Sequence, residues 1–394
     1  MKIVQNAELV PLIMPNKLRI FIIAGEVSGD ALAARVMRQM PDAEFVGIGG
    51  SAMVAAGLKP IFPMSDLAVM GIIEVLAHVR TLTRRISDAV RAIIETKPDL
   101  VLTVDAPGFA KSVIKKLRGC RPGREMIARG LRFHHIVAPQ VWAWRPGRAK
   151  KYAELFDKLY AFFDFEVPYF TKYGLNTMAV GHPIAENVVN LVNNTGKRER
   201  EKIITLVPGS RMSEVKRLMP VFQNVAETIR SCGYVNYKFA IPVVETTADY
   251  IKTAIMNWKC KPEIVDSDAR YDLYRRTYVA VVASGTVSAE LAMLHVPTIV
   301  AYKMNKITTL IGRLLIKVRW VSLINILLNK TVFPEFLGGA ATADNILNAL
   351  DSIALPANRA KMIADLKSGD KLWIRSNGMP SEIIADDIRK SVKH

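Results

Sequence analysis

Residues 204–222 read ITLVPGSRMSEVKRLMPVF, and residues 281–294 read VVASGTVSAELAML. Each stretch is an apolar run of β character, then a Gly/Ser turn, then an amphipathic helical pattern. A strand feeding a helix through so tight a turn is the building unit of a parallel α/β sheet. The turn leaves the first backbone N–H groups of the helix unpaired, which suits them to phosphate oxygens. Arg211 adds a planar fork of donors that matches the same oxygens. Glu290, roughly one and a half turns into the second helix, is placed to accept bonds from sugar hydroxyls. Two such loops in one half of a chain imply a nucleotide diphosphate site. Neither has the GK[ST] ending of an ATP-hydrolysing loop or the GxGxxG of a dinucleotide-binding loop.

The strand–turn–helix unit recurs outward from this point. Residues 18–24 predict a buried strand running into the turn Gly-Glu-Val-Ser-Gly-Asp, with a helix over 31–40. Further strands are predicted at 44–48, 100–104, 135–137 and 158–162, with a helix over 82–96, and Asp105 ends one of these strands. A polar segment, 187–201, interrupts the pattern, which restarts with strands at 203–207, 237–241, 279–282 and 297–302. The expectation is an α/β protein of two Rossmann-like, doubly wound parallel-sheet domains facing across a cleft. The limits are 1–186 and 187–350, with helices over 351–394 packing back toward the first domain. Active groups in such sheets collect at the C-terminal ends of the strands.

The chain has 394 residues, half of them hydrophobic, enough for two domains with cores of their own. Three scattered cysteines, Cys120, Cys232 and Cys260, make neither a disulfide framework nor a zinc site. The histidines show no metal-ligand spacing, so no metal and no cofactor is expected. The net charge is +18, with 12 Lys or Arg against one acid between Lys111 and Lys151. Such a field attracts polyanions. A basic nucleic-acid-binding protein is the remote alternative, but no nucleic-acid module is recognisable. No secretory signal is expected, and the longest apolar runs are too short or too charged to span a bilayer. The stretch 66–79, DLAVMGIIEVLAHV, is nearly apolar all round. Beside so basic a surface it reads as a peripheral membrane patch formed by Val69, Met70, Ile72, Ile73 and Leu76, although a core helix would show the same pattern.

Several motifs occur in a fixed order: AGEVSGD (24–30), Asp-Ala-Pro (105–107), VWAWRPGR (141–148), FDFE (163–166), GHP (181–183), PGSRMSEV (208–215), ASGTVSAE (283–290), VSLIN (321–325) and PEFL (334–337). Together they resemble the lipid-A-disaccharide synthases, inverting glycosyltransferases of the GT-B fold. The chain departs from that pattern at Gly108 and Ala110, where the family usually has Asp and Asn. The resemblance implies transfer of a diacylglucosamine unit from UDP-2,3-diacylglucosamine to the 6-hydroxyl of 2,3-diacylglucosamine 1-phosphate, at the cytoplasmic face of the inner membrane, with homodimerisation left open. Another UDP-sugar glycosyltransferase of the same fold, or a UDP-sugar epimerase, would share the second-domain loops.

Under this resemblance Asp105 is the base, although the same carboxylate would also serve as a helix cap. Gly209, Ser210, Arg211, Ser284, Gly285 and Thr286 form the phosphate cradle, and Glu290 holds the ribose. Asn325 and Glu335 join the donor side near the cleft. Glu26, Ser28 and Gly29 form the facing loop of the first domain. Trp142 and Trp144, two residues apart, would either stack on a sugar or pack in the protein.

Overall fold

The computed structural model describes residues 17–67, 72–193, 200–233, 236–303 and 319–392. Val69, Met70 and the side chains of Ile72, Ile73 and Leu76 lie outside the described residues.

Thirteen described strands form two sheets, and every pairing is parallel. The first sheet holds β1 (Arg19–Ala24), β2 (Glu44–Ile48), β3 (Lys59–Pro60), β4 (Leu100–Val104), β5 (Arg132–Ile136), β6 (Lys158–Ala161) and β7 (Asn176–Ala179), in the order β3-β2-β1-β4-β5-β6-β7. The second holds β8 (Ile203–Val207), β9 (Lys238–Val243), β10 (Glu263–Asp266), β11 (Val279–Val282), β12 (Thr298–Tyr302) and β13 (Glu335–Leu337), in the order β10-β9-β8-β11-β12-β13. Residues of β4, β8 and β11 are buried throughout. That is why they read as unbroken apolar runs: helices cover both faces of a parallel sheet.

Each sheet reverses its winding once, between β1 and β4 in the first and between β8 and β11 in the second. Adjacent crossovers leave in opposite directions there and open a crevice at the strands' C-terminal ends. The loops after these four strands are therefore the ones free to meet a ligand.

The halves are tied by more than the chain crossing between them. The helix Ile184–Asn193 sets Ile184, Ala185 and Val188 into the core around Val282, Leu291 and Trp373. The last helix, Pro380–Val392, returns to the first sheet and buries Ile383, Ile384 and Ile388 against Ile20, Ile22 and Met37. Burying each isoleucine contributes about 1.5–3 kcal/mol. Asp387 of that helix accepts from Lys158 Nζ at 2.6 Å and from Tyr160 Oη at 2.8 Å.

Candidate functional site

The crevice of the first sheet lies between the loops after β1 and β4. The helix following β1 spans Val27–Arg38, starting four residues earlier than the sequence predicts. Glu26 is thus its N-cap, and Ser28 and Gly29 belong to its first turn. The glycines reflect the closeness of the neighbouring loop: a Cβ at Gly25 would lie 2.6 Å from that of Ala106. Asp30 is committed to the fold, accepting from the backbone N–H groups of Gly50, Ala52 and Met53.

Asp105 and Ala106, after β4, both take left-handed backbone angles, with φ of 51° and 46°. Two successive non-glycine residues in this region store strain. The helix Pro107–Gly119 has Ala106 at its N-cap, so Asp105 stands one residue before the capping position. Burial pushes its carboxyl above the ordinary range. Glu26 is pushed up by burial and then by the charge of Asp105, while Arg211 of the second half pulls it down. Glu26 therefore feels charges from both sides of the cleft.

Asp105 lines a cavity of about 310 Å³ with Trp142, Trp144, Arg148, Tyr152, Glu166 and His182, and Leu323 of the second half completes the wall. Residues 141–144 form a turn, and both tryptophans line this cavity. Glu166 is 5% exposed. It accepts from Phe162 N and Phe163 N, both at 3.1 Å, and from Trp142 Nε1 at 3.3 Å. Desolvation outweighs these bonds and pushes its pKa up to about 6. Sequence reasoning missed this group, although a carboxylate inside the aromatic run FFDFE was a signal.

The second crevice, about 460 Å³, lies between the loops after β8 and β11. Gly209, Ser210 and Arg211 line one side, and Ser284, Gly285, Thr286 and Glu290 the other. Gly209 has φ +105°, and a Cβ there would meet Glu214 Oε2 at 2.6 Å. The helices Met212–Ser231 and Thr286–Met293 begin here, and neither has a side-chain cap. Their first N–H groups are open to an anion. Arg211 is largely exposed and 3.5 Å from Glu214, a pairing loose enough for a phosphate to displace. Glu290 is 6% exposed. Its Oε1 accepts from Tyr271 Oη at 2.7 Å and lies 3.6 Å from Arg270 Nη2, while its Oε2 is buried without a partner. A buried acceptor left open is costly unless a ligand supplies the donor.

Asn325 and Glu335 are engaged in hydrogen bonds within the segment 321–335. Asn325 accepts from Val332 N and Phe333 N and donates to Phe333 O and Glu335 Oε1, which uses its whole capacity. Glu335 also holds Val321 N, Ser322 N and Ser322 Oγ. The pair knits 321–335 together and keeps Leu323 at the cavity wall.

Two facing parallel sheets, with a phosphate-type crevice in one and a strand-end carboxylate in the other, define a nucleotide-sugar enzyme of the GT-B class. Solved structures of that architecture superpose along most of the chain. A UDP co-structure of S. aureus MnaA matches with TM-score 0.62 at 11% identity, covering 94% of this chain and 96% of its own. A UDP-GlcNAc 2-epimerase from Neisseria meningitidis, bound to UDP-GlcNAc, gives 0.57 at 12%, covering 95% and 100%. The calicheamicin glycosyltransferase CalG4 gives 0.56 at 12%, covering 96% and 99%. These likenesses establish the fold and no more.

Sequence narrows the choice. The family model for lipid-A-disaccharide synthetase matches residues 20–372. The lipid-A-disaccharide synthase of Rhodospirillum centenum is 38% identical over 348 residues, 85% of each chain. That of Rickettsia canadensis is 36% identical, covering 94% of this chain and 97% of its own. The chain belongs to the lipid-A-disaccharide synthase family of glycosyltransferases.

Proposed function

We propose that this enzyme joins UDP-2,3-diacylglucosamine to 2,3-diacylglucosamine 1-phosphate, forming the β-1′,6-linked disaccharide 1-phosphate and UDP. The observation that supports this reading is the pair of cavities at the two switch points, one lined by Asp105 and the other by Arg211 and Glu290. An inverting transfer needs a base on one face of the donor sugar and charge stabilisation on the other. Asp105 takes the proton of the acceptor 6-hydroxyl as its oxygen attacks the donor's anomeric carbon. The bond from that carbon to the diphosphate breaks, and UDP leaves with the electron pair. Arg211 and the N–H groups opening the two helices stabilise the departing charge, and Glu290 Oε2 accepts from the ribose hydroxyls. Burial, by raising the Asp105 pKa, makes it the stronger base.

In this reading residues 1–186 bind the acceptor, 187–350 bind the donor, and 351–394 fasten the two. The stretch 66–79 and the basic surface hold the enzyme to the inner membrane, where its acylated substrates reside. Among the described residues no helix is long and apolar enough to cross a membrane. The test is UDP release from UDP-2,3-diacylglucosamine by the purified protein. Release only when the diacylated sugar phosphate is present supports the reading; release without acceptor, or epimerised donor as the product, refutes it.

A further inference from the structure

The cavity beside Asp105 has a charged wall that the transfer step does not use. Arg148 and Tyr152 line it from the helix Arg148–Ala153. Tyr152 is 1% exposed, yet its Oη has no hydrogen-bond partner, and Arg148 Nε is buried without one. Lys111 Nζ lies 5.6 Å from the centre of the Tyr152 ring. Arg145 and Arg148 pack over Trp144 at 4.7 and 4.8 Å. Among the described residues no carboxylate pairs with Lys111, Arg145, Arg148 or Lys151. Burial, then Arg148 and Lys151, hold the Lys111 ammonium below its usual range. Like charges gathered at a half-buried wall destabilise one another until an anion arrives.

We propose that Lys111, Arg148 and Tyr152 form a seat for the acceptor's anomeric phosphate monoester. This rests on the functional reading above and extends it to a second anion site, separate from the diphosphate crevice after β8 and β11. A phosphate monoester carries about −1.5 to −2 charges at neutral pH and three acceptor oxygens. That matches a guanidinium and an ammonium that, among the described residues, are ion-paired to no carboxylate, and a hydroxyl with no hydrogen-bond partner. The position also fits. The 6-hydroxyl and the 1-phosphate of a hexopyranose flank the ring oxygen on one edge of the sugar, so the base and the phosphate seat must be neighbours. Tyr152 and Arg148 meet that requirement, since they line the same cavity as Asp105. Trp144, with its two arginines, then stands at the rim where the sugar enters.

The test compares kcat/KM for the acceptor with and without its 1-phosphate, in the wild type, Arg148→Gln, Lys111→Gln and Tyr152→Phe. Arg121→Gln, at an exposed site paired with Glu125, is the control. The wild type should prefer the phosphorylated acceptor. That preference should fall about 10-fold or more in Arg148→Gln, the scale of a lost charge-assisted bond. It should fall several-fold in Lys111→Gln and Tyr152→Phe and hold in Arg121→Gln. Inorganic phosphate should compete with acceptor in the wild type and less in Arg148→Gln. If Arg148→Gln fails to fold, Tyr152→Phe, which deletes one oxygen, decides the question. Unchanged preference in the folded variants overturns the proposal while the functional reading stands. So does an unchanged preference with weakened sedimentation on phosphatidylglycerol vesicles, which would assign the wall to bilayer headgroups. A wild type that turns over neither acceptor refutes the functional reading, and this seat with it.

Discussion

At the switch point of the first sheet, the loops after β1 and β4 present carboxylates, Glu26 and Asp105, above an aromatic cavity. At the switch point of the second, the loops after β8 and β11 present open N–H groups, Arg211 and the free Oε2 of Glu290. The two sheets share a topology, and both put function where the winding reverses. Their chemistry differs because of what the loops are made of. Gly209 and Gly285 leave room for backbone to approach an anion, whereas the strained, side-chain-bearing Asp105 and Ala106 hold a carboxylate in a half-buried wall. In the proposed reading one scaffold would serve both partners of a transfer reaction, with burial tuning the base and exposed helix ends meeting the leaving group.

The largest effect that could break this division is at Asp105. Asp105→Asn keeps the shape and removes the proton acceptor, so turnover should fall by about 10²-fold or more, with UDP affinity nearly intact. Near wild-type turnover in a folded variant would move the base elsewhere.

Next in size is stability in acid, which should separate the halves. Burial drives His134 and His182 down to about 4 and His135 to about 3, and all three lie in or beside the first half. Their folded pKa values are depressed, so the folded state binds fewer protons than the unfolded one between pH 6.5 and about 4. Each neutral histidine then contributes stability that is present above pH 6.5 and lost as pH falls, about 1.4 kcal/mol per pH unit. Glu166 opposes them: its raised pKa makes stability fall as pH rises from 4.5 to about 6. Burial raises Asp105 and Glu26 in the same opposing sense, but the three histidines are shifted furthest, so unfolding by denaturant should be easier at pH 5 than at pH 7. Hydrogen exchange at pH 5 should quicken first around β5. Equal stability at the two pH values would contradict the buried, neutral histidines.

Asn325→Ala should lower stability by about 2–4 kcal/mol, because it strips partners from several buried backbone groups, and should weaken UDP binding little. Weakened UDP binding with unchanged melting temperature would return Asn325 to the donor site. Smallest is Arg211: UDP titration should show roughly 10-fold weaker binding for Arg211→Ala, with Arg211→Lys recovering only part, since an ammonium lacks the bidentate fork.

How much of this was legible in the sequence follows from burial. The interior strands β1, β4, β8 and β11 were readable because apolar residues fill them. β3, β7, β10 and β13 were not, and each is a sheet edge, short and without a buried residue. Half-burial breaks the apolar run that identifies a strand. In the site, the crevice after β8 and β11 was legible because each loop is a local strand–turn–helix unit. The cavity beside Asp105 was only partly so: Glu166, Tyr152 and Arg148 come to Asp105 from separate elements, and nothing local announces their meeting. Asn325 and Glu335 show the converse, since residues near a cleft can be wholly engaged in holding it together.

The most direct test of the division between halves is hydrogen–deuterium exchange with and without UDP. Protection is expected at 208–214 and 284–290, with 105–107 and 142–148 unchanged. Protection confined to the loops around Asp105, with none after β8 and β11, would contradict the division.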